Sequence, residues 1–136
     1  MQSSLPVSKT QETLLKAFEQ LTVNHNPQYA LLIAFIAAEV MLGYYLHEAK
    51  VKRGASKTKL DDYEEEVPFS YKLNIELPVL LGNIDENDRQ TIAAVDKVRK
   101  KRNSIVHRGE DVSIEEALSG INAVGHLHDM LGKRPI

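Results

Sequence analysis

The sequence contains no cysteine, and it has few glycine, proline and aromatic residues. Without cysteine the chain can form neither a disulfide framework nor a thiolate metal site. It also has no glycine-rich phosphate loop and no Gly-x-Ser-x-Gly nucleophile turn. The aromatic residues are too few and too scattered to form a platform on which nucleic-acid bases would stack. These absences exclude several common classes of enzyme and binding site.

The histidines form no familiar metal-binding motif. His126 and His128 are two residues apart, so on a helix they would point to different faces. The sequence has no His-Glu-x-x-His pattern, and no cysteine is available as a ligand. We therefore predict no zinc site, no catalytic metal and no cofactor.

A length of 136 residues indicates a single domain, large enough to bury a core without a metal or disulfide. The net charge of −2 says little about partners, but the charge is unevenly distributed. Residues 61–66 are acidic and residues 97–108 are basic. The first ten residues lack the apolar core of a secretory signal. We expect a cytoplasmic protein.

The spacing of apolar residues predicts an all-α fold, an antiparallel bundle of four or five helices in one domain over residues 1–136. Residues 1–7 are expected to form a flexible arm and residues 132–136 a tail. A capping box at Ser8 and Gln11 would start the first helix. The predicted core face of that helix consists of Leu14, Leu15, Phe18 and Leu21.

Capping signals mark the start of three later helices. Asn26 followed by Pro27 would begin the second helix, and Asp85 or Asp88 would begin the fourth. Ser113 and Glu116 form a capping box for the fifth. The residues of the fifth helix expected to face inward are Ile114, Ala117, Leu118, Ile121, Val124 and Leu131.

Residues 71–81 read as a short third helix that Pro78 would break or kink, with a short strand as the alternative. Residues 57–67 are polar, and their acidic part is expected to be a solvated loop or a short helix.

The second helix is the most apolar element. Within residues 29–46 only Glu39 and Gly43 are outside the apolar set. This stretch is long enough to cross a bilayer, but a mid-segment carboxylate is costly in lipid. We therefore expect the central helix of the bundle, a dimer face, or both. A buried Glu39 would need a cation, and Arg102 is the candidate. Such a pair would either belong to a functional site or be a buried ion pair with a structural role only.

Residues 97–109, KVRKKRNSIVHRG, are the densest basic stretch in the sequence. The apolar stripe of this helix includes Val98 and Ile105, and Arg102 falls on it between them. A guanidinium on an apolar stripe is costly unless something accepts its hydrogen bonds. Asn103 and His107 are one turn apart and can touch. A basic helix end that only complements the helix dipole is the alternative interpretation.

The segment RNSIVHRG, residues 102–109, resembles the signature of HEPN domains, an Arg and a His separated by four to six residues. A polar residue directly after the Arg, here Asn103, is typical of the members that cleave RNA. The resemblance implies a homodimer in which two Arg–His motifs line one cleft. It also implies a metal-independent endoribonuclease, of the kind that serves as a toxin or as an antiviral defence effector.

This resemblance assigns roles to individual residues. His107 would transfer protons, Arg102 would hold the phosphate, and Asn103 would orient the ring or contact a phosphate oxygen. Glu39 is included in the catalytic set because HEPN domains often carry an acidic residue on this helix. The residues expected to attract the RNA backbone are Lys100, Lys101 and Arg108.

Three other interpretations remain open. The chain could be a non-catalytic HEPN module for RNA binding or dimerisation. It could be a toxin paired with a nucleotidyltransferase antitoxin, although such relatives carry a Tyr where this chain has Gly109. It could also be a helical adaptor that binds protein, in which case Arg102 would be fully paired in the core and His107 closed to solvent.

Overall fold

The computed structural model describes residues 5–136, with side chains described from residue 9 onward. This part of the chain forms six helices and no strand, which confirms the all-α prediction. The helix count exceeds the four or five predicted, because the polar segment after the second helix forms a short helix of its own. The helices are α1 (Leu5–Thr22), α2 (Pro27–Lys52), α3 (Lys57–Tyr63), α4 (residues 69–81), α5 (Glu86–Arg108) and α6 (Ile114–Gly132). A 3₁₀ turn, Glu64–Glu66, follows α3.

Side-chain caps start α2, α5 and α6, as the sequence predicts. The Asn26 side chain accepts a hydrogen bond from the backbone N–H of Tyr29, and Pro27 occupies the first turn of α2. Asp85 and Asp88 form a capping box at the start of α5. Ser113 and Glu116 form another at the start of α6. Each cap satisfies backbone N–H groups that have no partner within their own helix.

Helix α4 continues through Pro78 without a break, because the turn before the proline is a wider π-helical turn. Its middle turn, Lys72–Glu76, is a π-helix in which the N–H of Leu77 bonds to the carbonyl of Lys72. Proline has no N–H to donate, and its ring would press against the carbonyl of Asn74 four residues earlier. A π turn just before the proline relieves both problems. The strand alternative for this segment is therefore wrong.

Helix α2 lies at the centre of the fold and packs against α1, α5 and α6. By length and composition α2 is the one helix in the described chain that could cross a bilayer, and half of its most apolar stretch is buried within the fold. Core helices of soluble proteins share both properties. The buried residues of α2 are Ala30, Leu31, Ala34, Phe35, Ala37, Ala38, Met41, Leu42, Leu46 and Ala49.

Gly120 allows α6 to approach α2 closely. A Cβ at this position would lie 2.4 Å from Leu31 Cδ1, whereas one at Gly125 would meet nothing within 4 Å. Leu31 is buried, so it has little freedom to move away. Among the glycines of α6, Gly120 is therefore the one whose missing side chain allows the close contact with α2.

Several expectations for the chain ends were wrong. Residues 5–7 belong to α1 rather than to a flexible arm, and residues 1–4 and the Ser8 side chain lie outside the described residues. Because α1 already includes residue 8, a capping box at Ser8 and Gln11 does not start it.

Four residues that were predicted to face the core are exposed instead: Leu15 and Phe18 on α1, and Ile114 and Leu118 on α6. On both helices, the stripe of residues that packs against the core is narrower than the set of apolar residues at helical spacing in the sequence.

The tail after α6 is docked on the fold. Arg134 donates to Asp88 Oδ2 at 2.6 Å, and its carbonyl accepts from the Tyr45 hydroxyl at 2.7 Å. The hydrogen bond from Arg134 holds the pKa of the buried Asp88 carboxyl below its ordinary value. This pairing links the start of α5 to the end of α6.

Candidate functional site

Helix α5 carries the predicted site in its last two turns. It ends at Gly109, whose φ of 62° is left-handed, and the Gly109 N–H bonds to the carbonyl of Ile105. Glycine adopts this conformation without the steric cost that a Cβ would impose. The glycine stop therefore ends the helix directly after His107 and Arg108.

Arg102 lies on the apolar side of α5, as the spacing predicts. Its guanidinium carbon is 4.3 Å from the ring centroid of Phe35 on α2, a cation–π geometry. The same ring meets Phe69 edge-on at 4.9 Å between centroids. Arg102 therefore closes a short stack that runs from α5 across α2 to α4.

The Arg102 guanidinium lacks an acceptor. Its Nε is buried and has no hydrogen-bond partner. No carboxylate among the described side chains pairs with it. A buried donor without a partner is unfavourable, and such groups in native proteins call for an explanation. Because Nε itself is buried, an anionic ligand reaching this side of α5 would accept hydrogen bonds from the terminal nitrogens of the guanidinium.

His107 is exposed, and Asn103 is partly buried one turn before it. Neither side chain makes a hydrogen bond within the described part of the protein. The expected contact in which Asn103 orients the imidazole is therefore not formed in the free chain. Both groups remain available to a ligand.

Arg102 and His107 do not face each other within one chain. They are five residues apart on an uninterrupted α-helix, which places them roughly 140° apart around the axis and roughly 7.5 Å apart along it. A phosphate bound at Arg102 of one chain therefore lies on a different side of α5 from His107 of the same chain.

The proposed burial of Glu39 was wrong. Glu39 is exposed, and it makes no ion pair with Arg102. Because α2 is apolar on nearly every face, its sequence does not show which side turns outward, and Glu39 lies on the solvated side. The ring of Phe35, rather than the carboxylate of Glu39, is what Arg102 contacts on α2.

The three predicted RNA-attracting cations differ in how free they are. Lys101 lies 2.6 Å from Glu110 Oε1 and 3.1 Å from Glu116 Oε2. The hydrogen bond with Glu110 raises the pKa of Lys101 and lowers the pKa of the Glu110 carboxyl. The side chains of Lys100 and Arg108 are 69% and 72% exposed, and their ion pairs are long, at 3.5 Å. Lys100 and Arg108 are thus available to a polyanion, while Lys101 is already neutralised.

Glu110 fixes the end of α5, a role that the sequence pattern alone did not predict. Its backbone carbonyl accepts from Gln28 Nε2 at 2.6 Å, which joins the segment after α5 to the first turn of α2. Its carboxylate accepts from Lys101, one element earlier in the chain. In the sequence, the one feature that could have indicated this role is the position of an acidic residue directly after Gly109. These bonds hold the segment next to His107 in one place.

A polar cavity of about 440 Å³ lies at the other end of α5, where that helix begins and α6 ends. Its lining includes Asp85, Asp88, His126 and Arg134. It contains none of the predicted site residues.

Comparisons with protein-family models, with curated proteins and with solved structures give no match to this chain.

Proposed function

We propose that this chain is a HEPN-like, metal-independent endoribonuclease. The observation that carries the proposal is the Arg102 guanidinium, seated on the Phe35 ring with a buried Nε that has no acceptor. The same helix presents an exposed imidazole at His107 and two exposed cations, Lys100 and Arg108. A guanidinium without an acceptor, a free proton-transfer group and surface cations are what a site for a phosphodiester requires.

The reaction uses the nucleophile that RNA itself carries. The 2′-hydroxyl attacks the adjacent phosphorus, the P–O2′ bond forms, and the P–O5′ bond breaks. One proton leaves the 2′-oxygen and one is taken up by the departing 5′-oxygen. An imidazole exchanges protons near neutral pH, so His107 serves as general base or general acid. Arg102 neutralises charge that develops on the phosphate oxygens, and Asn103 donates to one of them.

The same proposal includes a homodimer, because one chain does not complete the site. With Arg102 and His107 on different sides of α5, a second copy is needed to bring a guanidinium and an imidazole to one phosphate. An exposed apolar stripe on α2 supplies the surface. Tyr29, Ile36 and Val40 are each about half exposed and recur at helical spacing. Ile36 directly follows Phe35, so the stripe and the Arg102 stack involve the same turn of α2.

Replacing Val40 by Asp is expected to shift the protein from dimer to monomer and to abolish RNA cleavage with it. The new carboxylate lies next to the exposed Glu39, so it adds like charge to an apolar interface and is costly. Sedimentation equilibrium measures the mass. The matched control is Val79→Asp, a change at another exposed valine, on α4. A wild-type protein that stays monomeric at assay concentrations contradicts the dimer.

The proposed activity is tested by incubating the wild-type protein with RNA in EDTA. We expect cleavage into products with a 2′,3′-cyclic phosphate and a 5′-hydroxyl, because the 2′-oxygen ends up bonded to phosphorus. Intact RNA after incubation, or products carrying a 5′-phosphate, contradicts this mechanism. In cells we place the activity in the cytoplasm, as a toxin or defence effector held in check by a protein antitoxin or another component of its system.

A non-catalytic helical module that binds a protein partner is the second candidate. The exposed Leu15 and Phe18 on α1 favour it, since they add apolar surface away from α5. The Arg102 geometry argues against the adaptor, because a purely structural arginine would be paired in the core.

A further inference from the structure

His47, Asp61 and Glu64 converge where α2 meets the polar segment that follows it. One ligand atom from each residue lies within 4.8 Å of the other two. His47 Nδ1 and Glu64 Oε1 are 2.7 Å apart. One imidazole and two carboxylates form a donor set that divalent transition-metal ions accept. We propose that these three residues bind one divalent transition-metal ion, for which Zn²⁺ is the probe.

The three donors come from separate elements that the fold brings together. His47 is on α2, Asp61 on α3 and Glu64 in the 3₁₀ turn. The side chains of His47 and Glu64 are only 17% and 20% exposed, so the donors are partly shielded from water. A tetrahedral ion with bonds of roughly 2.1 Å separates its donor atoms by roughly 3.4 Å. The observed distances between the donor atoms, from 2.7 Å to at most 4.8 Å, lie on either side of that value. Small side-chain shifts would therefore admit the ion, with water as the fourth ligand.

The surrounding charge favours a cation. Three further carboxylates, those of Asp62, Glu65 and Glu66, adjoin the donors in sequence. Residues 57–66 carry five carboxylates against two lysines, Lys57 and Lys59, so the segment is negative overall. The nearest lysine along α2, Lys50, is paired with Glu76 at 2.6 Å. Fixed negative charge raises the local concentration of cations.

An ion here would also hold α3 in place. Neither α3 nor the 3₁₀ turn has a buried residue, and a helix this short is unstable alone. Among the described residues, the His47–Glu64 contact is the side-chain hydrogen bond that joins the segment to α2. Surface ion pairs contribute little, whereas a shared metal ion ties two elements firmly.

The proposed metal site is separate from the RNA site. Residue 47 is twelve positions beyond Phe35 on α2, which is roughly 18 Å along the helix. The ion therefore has a structural role, and cleavage in EDTA does not depend on it. The two proposals can fail independently.

The test is isothermal titration of the full chain with ZnCl₂ after dialysis against EDTA and then against buffer. Wild type is expected to take up one ion per chain. Asp61→Asn and His47→Ala should each weaken binding at least about tenfold, because the first replaces an anionic donor by a neutral amide and the second removes the imidazole. Asp61 is exposed, so the asparagine variant tests the site without disturbing the core. Asp62→Asn, which removes the same charge outside the cluster, is the matched control and should weaken binding much less than Asp61→Asn.

Amide hydrogen exchange supplies a second measurement. Zn²⁺ should slow exchange in residues 57–66 of wild type but not of Asp61→Asn. The proposal is overturned if wild type takes up no stoichiometric Zn²⁺, or if Asp61→Asn and His47→Ala bind as tightly as wild type. In either case His47 and Glu64 form a hydrogen-bonded pair only.

Discussion

Replacing His107 by Ala is expected to lower the rate of RNA cleavage by about hundredfold or more. His107 is the one histidine of α5, and an imidazole can act as a general acid or base. No side chain in the described structure is hydrogen-bonded to it. His107 is exposed at the end of its helix, so its removal should leave the free energy of unfolding almost unchanged. The measurement is the initial rate of cleavage in EDTA, with a denaturation curve for each variant.

The matched control for this change is His126→Ala, at another exposed histidine, on α6. It should cleave RNA at the wild-type rate. Equal rates for wild type and His107→Ala would refute the catalytic role of this residue. Equal losses in both histidine variants would point to a general effect of charge or folding.

Replacing Arg102 by Met is expected to lower the rate of RNA cleavage while leaving the free energy of unfolding almost unchanged. Cleavage should fall on the order of a hundredfold, because a donor to the developing phosphate charge is lost. The free energy of unfolding should stay within about 1 kcal/mol of wild type. The cation–π contact with Phe35 is lost, but a buried donor without an acceptor is also removed, and a methionine packs well on an aromatic ring.

Arg102→Lys supplies the comparison within this prediction. Lysine keeps the positive charge but cannot stack its head group on Phe35 or donate two parallel hydrogen bonds to a phosphate. We expect an intermediate loss of activity, about tenfold or more. If Arg102→Met unfolds the protein or cleaves RNA normally, Arg102 has a structural role or none in catalysis.

The helix starts were predictable because their physics is local. Asn26, Asp85 and Ser113 each bond to a backbone N–H three residues later, and such a pattern is visible in the sequence. The position of Arg102 on the apolar side of α5 was predictable for a similar reason. Its neighbours Val98 and Ile105 recur at helical spacing, and the structure places both against the core.

What the sequence could not supply is the pairing between distant elements. Phe35 and Arg102 meet across two helices, and nothing in either local pattern points to the other. The error at Glu39 has the same origin, since an all-apolar helix carries no periodicity to show which side is wet. His47 and Glu64, which are 17 residues apart, also meet only because the chain turns back on itself after α2.

The close approach at Gly120 has a consequence for surveys in which every position is substituted. Position 120 should tolerate replacement as poorly as a catalytic residue, although it has no part in the proposed reaction, because any side chain there collides with Leu31 in the interior. Gly125, five residues along the same helix, should accept alanine readily. Intolerance at a glycine of α6 is therefore a sign of helix spacing and should not be counted as a mark of the nuclease site.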